Sequence, residues 1–89
     1  MSEGARIKHA TTVALDSLEP LLVELRRVPA LVERKRGLFY RGSSAFIHFH
    51  EDPAGFFADA KLGPAWQRFD VTTPKQRREL VRIVKQTLG

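Results

Sequence analysis

Two histidines separated by one phenylalanine are the residues of this chain best suited to chemistry. They are His48 and His50, within the segment FIHFHED, and two acids follow them directly. Side chains two positions apart on a β-strand point to the same face, so a strand here would present both imidazoles together. Two imidazoles and a carboxylate suit zinc or another divalent ion and leave a position open for water. Chance alternation along an ordinary strand produces the same spacing.

The segment after these histidines predicts which residues stand opposite them. Residues 52–55 read DPAG, which is strong turn chemistry between two apolar runs. A four-residue turn there places Phe49 opposite Ala58 and His48 opposite Asp59. This register puts only apolar residues on one face, and a slip by one residue would break that pattern. The sequence therefore predicts a hairpin in which Asp59 neighbours the histidine pair.

The metal site predicted from this register consists of two imidazoles and one carboxylate, at His48, His50 and Asp59. His9 and Asp52 are possible further ligands. Because the chain has no cysteine, no phosphate-binding glycine loop and no recognisable catalytic triad, any catalysis would have to use a metal at these histidines. The alternative is that His48 and Asp59 make an ordinary cross-strand contact, worth up to ~1 kcal/mol. We expect a binding module rather than an enzyme.

A second turn predicts an aromatic and basic face around the histidines. Gly42-Ser43 is a Gly-first two-residue turn, which places Phe39 opposite Phe46. Aromatic rings on an open sheet face can stack on single-stranded nucleic acid while basic groups meet its phosphates. The predicted nucleic-acid surface consists of three rings and four cations, Phe39, Phe46, Phe57, Arg41, Lys61, Arg34 and Arg36. Two alternatives are a homodimer interface and a face covered by the protein's own chain.

The remaining patterns predict an α+β fold. Two amphipathic helices flank the strands, the first with Asp16 as its cap or starting a turn earlier at Thr11 or Thr12, the second capped by Thr73. Residues 30–37 read as a helical turn or a linker, and WQRFDV as a short fourth strand. We expect one domain over residues 1–89, with a loose lead-in over 1–11. Its predicted architecture is a three- or four-stranded antiparallel meander with both helices packed on one face.

Bulk composition narrows the class of partner. The net charge of +5 and the pI of about 10.2 favour anionic partners, of which nucleic acid is the commonest. The absence of cysteine excludes disulfides and thiolate metal sites. No apolar segment is long enough to span a bilayer and the first ten residues lack a signal-peptide pattern. We therefore expect a cytoplasmic protein without a membrane partner.

The segment FIHFHEDPAGFFAD resembles a phrase found in a family of short, uncharacterised bacterial proteins. The shared pattern is G-x-F-Y, then F-x-H-F-H-E-D-x-x-G-x-x-A-D, then W, here from Gly37 to Trp66. The resemblance covers residues 20–89 and implies no established activity. The element order is also similar to that of MmcQ/YjbR-like double-wing proteins, which are treated by analogy as DNA-binding. That likeness is topological, and it carries no functional residue over to this chain.

Overall fold

The computed structural model of this protein describes residues 8–89 and shows an α+β fold. Two helices and one antiparallel sheet follow in the order β1 (Lys8–His9), α1 (Thr12–Arg26), β2 (Val32–Lys35), β3 (Leu38–Arg41), β4 (Ser44–Asp52), β5 (Gly55–Ala60), β6 (Gln67–Asp70) and α2 (Pro74–Leu88). The predicted fold class is confirmed. The predicted number of strands is too low, because residues 32–35 form a strand where we expected a helical turn or a linker.

Five strands form a meander in the order β2-β3-β4-β5-β6. The two-residue β1 pairs with the far end of β4, so that His9 stands opposite His50. The long β4 therefore has β3 beside its first half and β1 beside its second half on the same edge. The predicted loose lead-in falls outside the described residues up to position 7, whereas residues 8 and 9 form β1 and Thr11 caps α1.

The β4–β5 hairpin has the predicted register. Phe49 pairs with Ala58 and His48 pairs with Asp59. Asp52 shapes the turn, since its Oδ1 accepts hydrogen bonds from the N–H groups of Ala54 at 2.7 Å and of the following glycine at 3.2 Å. The carboxylate of Asp52 is thus used by the turn, and it is not among the groups that could share a metal ion.

The β3–β4 hairpin departs from the predicted register. Gly42 has φ of +62°, as a Gly-first turn requires, and the pairing begins as expected. A bulge then shifts the strands, so that Phe39 pairs with Ile47 and not with Phe46. One extra residue turns the rest of the strand to the other face of the sheet. Phe39 therefore enters the core, while Tyr40 is only half-buried.

Both helices begin at threonine caps. Thr11 caps α1, with its hydroxyl accepting from the N–H of Ala14 at 3.3 Å, so the earlier of the two predicted starts is confirmed and Asp16 lies inside the helix. Thr73 caps α2 and forms the predicted capping box with Gln76. The caps fix the residue at which each helix begins.

One apolar cluster joins the helices to the sheet. It combines leucines of α1, apolar residues of β3 to β5, and Leu80, Val81 and Val84 of α2. Of the other apolar residues of α2, Ile83 and Leu88 are half-buried. Within residues 8–89, neither helix has the length and apolar character needed to cross a membrane.

Candidate metal centre

The sheet brings all the histidines of the chain to one place. The sequence holds three histidines, and β1 and β4 carry them at positions 9, 48 and 50. The ring centroids of His9 and His50 lie 4.9 Å apart, those of His48 and His50 lie 4.8 Å apart, and those of His9 and His48 lie 6.1 Å apart. One ring nitrogen from each residue lies within 4.8 Å of the other two. Alternation along β4 supplies two of the rings and the β1–β4 pair supplies the third.

Asp59 stands beside the cluster as an anchored carboxylate. Its Oδ2 lies 3.0 Å from Nε2 of His50. Arg68, its partner on β6, donates to both carboxylate oxygens at 2.7 Å each. The predicted group of His48, His50 and Asp59 is thus brought together. The third imidazole comes from His9, which the sequence offered only as a further ligand, and both oxygens of Asp59 are already engaged.

Two nitrogens of the cluster are buried without a hydrogen bond. These are Nδ1 of His48 and Nε2 of His50, for which residues 8–89 provide no hydrogen-bond partner. The contact of His50 with Asp59 has the distance of an ion pair but not the alignment of a hydrogen bond. A buried polar atom without a partner costs about 1–3 kcal/mol. The cluster therefore contains donor atoms that the protein itself does not satisfy.

The electrostatic surroundings favour neutral imidazoles and an ionised carboxylate. Burial lowers the pKa of His48, and a positive charge on His50 would lower it further. Burial also lowers the pKa of His50, with the Asp59 charge acting in the opposite direction. Hydrogen bonds from Arg68 hold the pKa of Asp59 below its usual range. Neutral imidazole is the form that binds a metal ion.

Aromatic side chains border the cluster on two sides. The ring of Trp66, in the loop before β6, lies 4.9 Å from that of His48 in an edge-on arrangement. Phe57 is the cross-strand partner of His50, and the guanidinium carbon of Arg68 lies 5.9 Å from its ring centre. Trp66 keeps 43% of its surface exposed. The indole therefore covers part of the edge of the site while it stays accessible to solvent, and it is not buried in the core.

The predicted nucleic-acid surface does not form as one face. Phe39 and Phe46 retain only 0% and 4% of their surface and belong to the core cluster, so the prediction that they are exposed platforms is wrong. The bulge in β4 is the cause, since it turns Phe39 inward. Phe57 is half-buried, and Arg41 and Lys61 are exposed.

Arg34 and Arg36, the other two arginines of the predicted nucleic-acid surface, have partners within the protein. The guanidinium of Arg34 lies 4.7 Å from the ring centre of Tyr40. Arg36 donates to Asp16 and to Glu19, each at 2.8 Å. The ion pairs of Arg36 fasten the β2–β3 turn to α1. The densest basic run of the sequence is therefore partly neutralised.

Sequence reasoning missed the pairing of His9 with His50. A two-residue strand has no periodicity to detect, and the residues around His9 carry no strand pattern. The one available signal was the residue type, because the third histidine of a chain that has only three could join the other two in one metal site.

Comparisons with known proteins found no matching family model, no matching curated protein and no matching solved structure. The resemblance of FIHFHEDPAGFFAD to a bacterial family therefore stays a prediction. Function has to be argued from the geometry of the site.

Proposed function

We propose that this chain is a metal-binding domain that holds one divalent transition-metal ion with His9, His48 and His50. Zinc is the first candidate, because it accepts three imidazoles in tetrahedral geometry and leaves a fourth position open. Nickel and copper also accept imidazole ligands. The observation that carries the proposal is the cluster of three imidazoles, one ring nitrogen from each within 4.8 Å of the others, in which Nδ1 of His48 is buried without a hydrogen bond.

The spacing of the donors fits an ion after a small closure. Nitrogens bound to one tetrahedral zinc ion lie about 3.3–3.4 Å apart, given Zn–N distances of about 2.0–2.1 Å. The three nitrogens of the cluster span up to 4.8 Å. Side-chain rotations that move the rings by about 1 Å close that difference, and exposed His9 has the freedom for it. The backbone already places the three rings.

Asp59 supports the proposal as a carboxylate that would orient a metal-binding histidine without binding the ion itself. Metal-binding histidines commonly donate their other ring N–H to a carboxylate, which fixes ring orientation and tautomer. With Nε2 of His50 3.0 Å from Asp59, alignment of that contact leaves Nδ1 of His50 to face the ion. Arg68 holds the carboxylate in place and keeps it ionised.

The test is a titration of untagged protein with zinc, nickel and cobalt, followed by native mass spectrometry. We expect one equivalent of ion per chain, lost in His48→Ala. Asp70→Asn is the matched control, because Asp70 is an exposed carboxylate on β6 outside the cluster. A protein that takes up none of the three ions at micromolar concentration would refute the proposal.

Single-stranded nucleic acid remains a second, weaker proposal. Two of the three predicted stacking rings are buried, so this proposal now depends on Phe57 with the exposed cations Arg41 and Lys61. Titration with fluorescent oligonucleotides at low salt decides it, because phosphate-driven binding must weaken steeply as salt rises. A homodimer is likewise a proposal, which sedimentation at high concentration tests directly.

A further inference from the structure

An open pocket adjoins the histidine cluster. It has a volume of about 620 Å³, and both His9 and His48 line it. The pocket follows from the topology, because pairing along that edge of β4 passes from β3 at Ile47 to β1 at His50. Between these two pairs, His48 and Phe49 form part of the pocket wall. An ion held by His9 and His48 would face the pocket.

The chemistry of the pocket wall points to an anionic ligand. Lys35 and Arg36 line it, and among residues 8–89 its lining contains no acidic residue. Arg36 is already bound to two carboxylates of α1, whereas Lys35 is exposed and has no ion pair among residues 8–89. The N-terminus of α1 also borders the pocket at Thr12, and the first turn of that helix contains no acid. The carboxylate of Glu51 accepts a hydrogen bond from the backbone N–H of Thr11 at this helix end at 2.6 Å, so the positive charge that the wall offers a ligand is that of Lys35.

The rest of the wall is apolar. Leu15, Leu38 and Phe49 line the pocket beside the cations. A ligand that fits such a wall carries one oxyanion group and an apolar body, since concave sites of this size combine apolar walls with a few charged groups that fix orientation. Hydrated inorganic anions would leave the apolar part of the wall uncovered.

We propose that this pocket binds a small organic acid, a carboxylate or a phosphate ester, whose oxyanion occupies the open position of the metal ion and pairs with Lys35. The apolar body of the ligand lies on Leu15, Leu38 and Phe49. This inference rests on the proposed metal site and names the class of ligand for it. The metal ion and Lys35 are the two positively charged partners of the oxyanion, so a neutral analogue of the same shape is rejected.

The experiment uses the cobalt(II) form, because the visible spectrum of bound cobalt(II) reports a change of its ligands. Benzoate, acetate and benzamide are the three probes. We expect a saturable spectral change with benzoate, binding about tenfold weaker for acetate, which lacks the apolar ring, and no saturable change with benzamide. Lys35→Gln should weaken benzoate about tenfold while cobalt affinity stays within about twofold of the wild type.

Lys75→Gln is the matched control, since it removes the same charge from the start of α2, away from the pocket. It should bind benzoate as the wild type does. Failure of the protein to bind cobalt, nickel or zinc would refute the proposed function. Cobalt binding without any response to benzoate, an equal response to benzamide, or an unchanged benzoate affinity in Lys35→Gln would overturn the pocket inference alone.

Discussion

The substitution Asp59→Asn separates a carboxylate that orients His50 from one that binds the metal directly. Asparagine keeps the size of the side chain but removes the charge. It also presents an amide group toward Nε2 of His50, now 3.0 Å from the carboxylate. An amide N–H that donates there would fix the wrong tautomer, with the proton on the nitrogen that should face the ion.

The expected loss follows from that role. Removal of a carboxylate that supports a metal-binding histidine typically costs about 10- to 100-fold in metal affinity. The stability cost should be moderate, because the Asp59 side chain is only 15% exposed but solvent reaches its ion pair through Arg68, which is 41% exposed. Exposed pairs contribute about 0–1 kcal/mol. We therefore expect a large change in zinc affinity with an unfolding free energy lowered by about 1 kcal/mol.

Competition of the protein with a coloured chelator measures zinc affinity, and urea unfolding of the metal-free protein measures stability. Asp70→Asn serves as control on the same sheet and should change neither quantity. Zinc affinity equal to the wild type in Asp59→Asn would refute the orienting role. A loss as complete as that caused by removing a histidine would show that Asp59 is itself a ligand, as the sequence first suggested.

Three further predictions concern the fold. Thr73→Ala should lower the unfolding free energy by about 1 kcal/mol, measured in urea, and no change would contradict the capping box seen in the structure. Gly55→Ala should destabilise by about 1–3 kcal/mol, because its backbone has φ of +149° and a Cβ there would lie 2.2 Å from the hydroxyl oxygen of Thr72; a thermal midpoint equal to the wild type would argue against that contact. Burial would raise the pKa of Glu33, but hydrogen bonds from Arg26 and from a backbone N–H together lower it. The stability that this carboxylate provides is present above its unfolded pKa of about 4.3 and is lost as pH falls through the lower folded value, so Glu33→Gln should flatten the acid limb of a stability-against-pH curve, and an unchanged limb would refute the assignment.

Local chemistry determined the parts of the fold that sequence reasoning predicted correctly. The turn at residues 52–55 and the alternation around it fix the register of β4 and β5, which is why the pairing of His48 with Asp59 could be predicted. The cap Thr73 and Pro74 at the first position of α2 are equally local signals. These features depend on residues within a few positions of one another.

The parts that sequence reasoning got wrong depend on packing across the sheet. The bulge near Phe46 has no sequence mark, yet it reverses the face of Phe39 and removes two of the three predicted stacking rings. Residues 32–35 read VERK and lack an apolar alternation, so their strand forms because β3 offers an open edge. The contact of His9 with His50 spans some forty positions of the chain. It arises because β3 pairs only with the first half of β4 and leaves the second half to β1.

The most direct test of the three-histidine site is the zinc affinity of His9→Ala, measured beside His48→Ala and His50→Ala. Every variant should remain folded by circular dichroism, since none of the three side chains belongs to the apolar core. The account predicts one zinc ion per wild-type chain and a loss of affinity of at least about a hundredfold in each variant, His9→Ala included. A His9→Ala protein that binds zinc as tightly as the wild type would contradict the site, because the metal would then not bridge β1 and β4.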